Sequence, residues 1–124
     1  MLVEIENARQ IKDEGFRRWF SDDFFDLIVW YDERREIRGF QLCYDKHQNE
    51  RAVTWRREGG FSHHRVDDGE TTRGAAGHPM SPILVRDGVF EVHPVAERFR
   101  SASANIEPSL AGFVYRTMLD YPAP

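Results

Sequence analysis

A chain of 124 residues, 40% hydrophobic and 31% charged, has the size of one domain and the balance of a soluble globular protein, not a disordered one. Its formal net charge of -4 and pI near 5.7 argue against a nucleic-acid binder, which needs a basic excess. No apolar run approaches the roughly 20 residues that cross a bilayer, and the lone Cys43 excludes an internal disulfide and a thiolate metal cluster.

The first six residues, Met1 to Glu6, carry acidic side chains where a signal peptide has a basic and then a long apolar segment, so a cytoplasmic location is expected. All basic residues except Lys12 and Lys46 are arginine. Arginine suits bidentate contacts to carboxylate and phosphate, but biased codon usage is the favoured explanation of the excess. Val3, Ile5, Asn7, Arg9 and Ile11 alternate with Glu4, Glu6, Ala8 and Gln10, which reads as a first strand. A short extended piece, Arg17 to Phe20, precedes the acidic turn Ser21-Asp22-Asp23.

A meander follows. Phe25, Leu27, Val29 and Tyr31 share one face of a strand, with Asp26, Ile28, Trp30 and Asp32 on the other. The next strand divides into Arg38, Phe40, Leu42 and Tyr44 against Gly39, Gln41 and Cys43. The third divides into Arg51, Val53, Trp55 and Arg57 against Ala52, Thr54 and Arg56. Gly59-Gly60 supplies a tight hairpin turn into a fourth strand, Phe61 to about Asp67. Requiring the apolar sets to share a face fixes the register. Tyr31 then pairs with Arg38 and Tyr44 with Arg51; the inner rows become Val29–Phe40–Trp55 and Leu27–Leu42–Val53, with His64 beside Trp55 and Val66 beside Val53.

Gly69 to Pro82 reads as a Gly-rich loop. Gly69 and Gly74 have the separation of the phosphate-loop glycines, but Ala75-Ala76 replaces the required lysine and hydroxyl, so a P-loop is rejected. Ile83, Leu84 and Val85, then Val89 and Phe90, flank Arg86-Asp87-Gly88 as a strand or tight hairpin. One helix starts at His93-Pro94 and carries Val95, Phe99 and Ala102. A second starts near Pro108 and carries Leu110, Phe113, Val114 and Thr117. The expected fold is α+β with two layers: an antiparallel meander of about five or six strands backed on one face by two C-terminal helices.

The opposite face then holds the candidate site. Trp30, Gly39, Arg56 and His63 form one row, Ile28, Gln41, Thr54 and Arg65 the next, and Asp26, Cys43, Ala52 and Asp67 the third. Gly39 leaves room for the Trp30 indole, on which Arg56 can stack. The contact candidates are Ile28, Trp30, Gln41, Arg56, Phe61, His63 and Arg65. A solvated sheet side or a face covered by a twofold-related copy is the simpler explanation of this mixture.

Catalytic signals are weak. His63 and His64 point to opposite faces of a strand and cannot share an ion, and neither a zinc motif nor a calcium loop is present. Cys43 lies about four residues along the strands from His63, too far for proton transfer, and a nearby carboxylate raises its pKa. No Gly-x-Ser-x-Gly elbow appears. The sequence therefore reads as a small bacterial-type cytoplasmic domain with a non-catalytic binding or assembly role through the free sheet face, as a homodimer, with no cofactor and no metal. The alternative is a small enzyme or carrier holding an anionic small molecule between that face and the Gly69–Pro82 loop. His63 is then the acid/base, Arg56 and Arg65 the anion holders, and Trp30 an apolar wall.

Overall fold

The computed structural model describes residues 1–6, 16–67, 83–86 and 90–122. The strands are β1 (Val3–Glu4), β2 (Arg17–Ser21), β3 (Asp26–Tyr31), β4 (Ile37–Tyr44), β5 (Arg51–Arg56), β6 (Gly60–Asp67) and β7 (Ile83–Arg86); the helices are α1 (Val92–Ala102) and α2 (Pro108–Leu119). The strands follow sequence order in one 7-stranded sheet, and every neighbouring pair is antiparallel. This is the two-layer α+β meander expected, with one strand more because β1 and β7 both join. Residues 7–11 of the expected first strand and the 69–82 loop lie outside the described residues.

Period-two patterning explains the layering. Phe20, Leu27, Val29, Phe40, Leu42, Tyr44 and Val53 alternate onto one face and form a single buried cluster with Val95, Ala96 and Phe99 of α1 and Leu110, Val114 and Met118 of α2. Phe25 packs edge-on against Phe99 with centroids 5.9 Å apart, and Trp55 meets Phe113 at 5.5 Å. Pro108 occupies the first turn of α2, where its missing N–H costs no helical bond. In α1 the helix begins at Val92, so Pro94 falls slightly inside the expected start but still among the N–H groups without an intrahelical acceptor.

The rows Val29–Phe40–Trp55 and Leu27–Leu42–Val53 form as patterning dictates, and Tyr44 pairs with Arg51. Tyr31 pairs with Ile37 instead of Arg38, through a bulge between Trp30 and Tyr31. The larger correction is β6. Arg56 pairs with Gly60 and Trp55 with Phe61, three residues away from the expected Trp55–His64 pairing. The turn is not a two-residue Gly59-Gly60 turn. It runs Arg57-Glu58-Gly59, closed by Gly59 N–H donating to Arg56 O at 3.2 Å, and Gly60, the first residue of β6, takes the left-handed φ of 74°, so a three-residue loop leads into a left-handed glycine. An odd shift reverses every side chain. Phe61, His63 and Arg65 therefore join the helix side, and Ser62, His64 and Val66 take the opposite side.

Candidate functional site

The sheet face away from the helices is built from three rows. Arg17, Trp30, Gly39 and Arg56 form the first; Trp19, Ile28, Gln41, Thr54 and Ser62 the second; Ser21, Asp26, Cys43, Ala52 and His64 the third. Among the expected contact residues, Ile28, Trp30, Gln41 and Arg56 come together here. Phe61, His63 and Arg65 do not. Trp30 and Arg56 share the face as their rows require, with Arg56 Cζ 4.7 Å from the indole centroid. Gly39 lies between them for a different reason than indole clearance: a Cβ there would stand 2.5 Å from Trp55 O and 3.3 Å from Arg56 Cα. Backbone approach, not the indole, demands glycine.

Trp19 is the residue the sequence reading missed. It pairs with Ile28, is 39% exposed, and its Nε1–H donates to Asp26 Oδ1 at 3.3 Å. Applying the same alternation to Arg17–Phe20 and folding it back across the Ser21–Asp23 turn places the indole beside Ile28. Val3 pairs with Ser21 of the same set and is 61% exposed. Ile5, two residues on and also exposed, donates its N–H to Trp19 O at 2.8 Å. Glu4 between them turns to the helix side, where it meets Arg18 at 2.8 Å. Val3, Ile5, Trp19, Ile28 and Trp30 thus line one apolar band across β1–β3.

The band has polar margins that are internally satisfied. Lys46 Nζ donates to Asp26 Oδ1 (3.2 Å), Ser21 Oγ (3.1 Å) and Asp22 O (2.9 Å), tying the β4–β5 hairpin to the β2–β3 turn. Thr54 Oγ1 donates to Gln41 Oε1 at 3.3 Å, and Gln41 Nε2 donates to Cys43 Sγ at 3.5 Å. Burial pushes the Cys43 thiol up to about 11, with Glu50 and Asp26 adding to the effect and the Gln41 contact opposing it. A thiol so placed is neutral at pH 7 and a poor nucleophile.

His63 is 4% exposed and sits on the helix side, its Nε2 2.6 Å from Tyr44 Oη and its ring 5.0 Å from Phe90. It cannot act with Arg56, which is across the sheet, so the pocket that joins His63, Arg56 and Trp30 does not form. His64, expected beside Trp55 on the inner side, lies on the outer face beside Ala52, with Nδ1 buried and unpartnered among the described residues. Phe61 packs on Tyr121 at 5.2 Å, part of the core margin and not of the free face. Among the described residues no three His, Cys, Asp or Glu side chains converge as metal ligands, and no helix is long and apolar enough to cross a membrane. No family model, curated protein or solved structure matches the chain.

Proposed function

We propose that this protein is a non-catalytic, cytoplasmic docking module that uses the helix-free face of its sheet, and that the occupant of that face is a second copy of the chain. The observation that carries the reading is the apolar band of exposed Val3, Ile5 and Trp19 with half-buried Ile28 and Trp30. Contiguous apolar surface rimmed by polar groups marks an interaction site, whereas isolated exposed apolar residues do not. Two tryptophans near the centre are the side chains that dominate binding energy at interfaces.

The distribution of charge favours a twofold partner. Basic Arg17 and Arg56 lie in the Trp30 row, and Asp26 lies in the row on the far side of Ile28. A twofold axis near Ile28 keeps the Arg17–Arg56 rows of the two copies apart, each lying over the other copy's Asp26–Lys46 ion pair, whose charges cancel. The neutral, buried Cys43 thiol suits a reducing compartment. Sedimentation equilibrium tests the reading. The native chain is expected at twice its monomer mass, and Ile28→Glu at the monomer mass with an unchanged circular dichroism spectrum. A native chain that stays monomeric at millimolar concentration overturns it.

A further inference from the structure

A second candidate site lies on the other layer, independent of the sheet-face reading. A groove of about 500 Å³ runs between α2 and the end of the β3–β4 and β5–β6 hairpins, within the size range of small-molecule sites. Its floor is apolar and aromatic: Ile37, the half-buried Trp55, and Leu110 and Phe113 from α2. Trp55 and Phe113 meet at 66° with centroids 5.5 Å apart, so both rings border the groove.

The rim is charged, and its charges are unevenly matched. Arg57 is held by Asp32 at 3.1 Å. Glu107 is held by Arg18 at 3.2 Å and accepts from Ser109 Oγ at 2.8 Å, and both contacts keep its carboxyl below the usual range. Arg35 lies over the Phe16 ring at 4.6 Å, a contact that leaves its charge unneutralised. Arg116 folds back over Gly112, so closely that a Cβ there would be 2.8 Å from its Nη1; among the described residues no carboxylate lies within 4.0 Å of it. Against these two cations stands one carboxylate, Glu36. The rim therefore carries one uncompensated positive charge above an aromatic floor.

We infer that this groove binds a small planar aromatic carboxylate, its ring packed on Trp55 and Phe113 and its anionic group on Arg116. Arginine matches a carboxylate bidentately, and a charge-assisted bond is stronger than a neutral one. Glycine at 112 leaves room for the exposed guanidinium to fold back close to the helix beside the groove.

The test is titration of the 15N-labelled, assigned protein with 2-naphthoate and, separately, with its uncharged amide. The acid is expected to shift the Trp55 indole N–H signal saturably, with Kd no weaker than about 1 mM, while the Trp19 and Trp30 signals stay in place. The amide and the Arg116→Gln protein are each expected to show about tenfold weaker binding, and Glu36→Gln about twofold tighter binding. Arg116 and Glu36 are exposed, so neither change threatens the fold. No saturable shift at Trp55, equal affinity for acid and amide, or movement of Trp30 instead of Trp55 overturns the assignment.

Discussion

Gly39→Ala probes the sheet register on which both sites depend. A methyl at residue 39 would stand 2.5 Å from Trp55 O and 3.3 Å from Arg56 Cα, both backbone positions that no rotamer change can move. Restoring ordinary contact requires β4 and β5 to separate by about 0.9 Å near that point. The neighbouring Arg57 N–H bond to Arg38 O is 2.8 Å, and a retreat of that size takes it past hydrogen-bond range. Losing one or two such bonds, with the strain of overpacking, costs about 2–3 kcal/mol. Alanine returns about 0.4–1 kcal/mol by restricting the unfolded chain. The net loss is about 1–2.6 kcal/mol, a fall in Tm of roughly 4–10 °C for a domain of this size. Urea unfolding followed by tryptophan fluorescence gives the value directly. Gly59→Ala is the control, since its Cβ meets only Arg56 Cβ at 3.8 Å. A Gly39→Ala protein as stable as the native one refutes the Trp30–Gly39–Arg56 row.

The Trp30–Arg56 stack is expected to give a coupling of about 0.5–1 kcal/mol in a double-mutant stability cycle with alanine; additivity within error denies the contact. Cys43 is expected to resist thiol reagents at pH 8 until the protein unfolds. Its thiol is held near 11 instead of 9.0, so the native state keeps the proton longer than the unfolded chain does. The associated stability of about 2–3 kcal/mol is complete below pH 9 and is lost as pH rises towards 11. Subtracting the pH profile of Cys43→Ala isolates it, and identical profiles count against the burial. Gly112→Ala removes a glycine from the interior of α2 and displaces only the exposed tip of Arg116. It is expected to raise stability by about 0.5–1 kcal/mol while weakening 2-naphthoate binding; a loss of stability means that the guanidinium is fixed in place.

Alternation over 25–57 was enough to pair β3, β4 and β5 except at the bulge that moves Tyr31 from Arg38 to Ile37, because each strand has one continuous apolar side and a slip would expose it. The same rule failed at β6. Phe61-Ser62-His63-His64-Arg65-Val66 has no clean apolar side, so the register rested on turn length alone, and a glycine pair fits either a two-residue turn or a longer loop ending in a left-handed glycine. What decides between them is tertiary. The observed register gives His63 the Tyr44 hydroxyl and Phe90 and gives Phe61 the Tyr121 ring, contacts separated in sequence by 19 to 60 residues. Half of the candidate face was therefore legible and half was not. Trp19 was missed although it lies within the piece read as extended, Arg17 to Phe20, because that piece was never paired with β3. The Arg116 groove joins two hairpin tips to α2, and no local pattern announces such a meeting.

Self-association through the tryptophan-bearing side of the sheet is the central claim, and disulfide capture tests it most directly. In a Cys43→Ser background, Ile28→Cys puts one thiol near the twofold axis, and Gly59→Cys puts one at a hairpin tip away from it. Mild oxidation at micromolar concentration is expected to convert the Ile28→Cys protein to a covalent dimer with native circular dichroism while the Gly59→Cys protein stays monomeric. Equal cross-linking of the two, or a monomeric Ile28→Cys protein, contradicts the account.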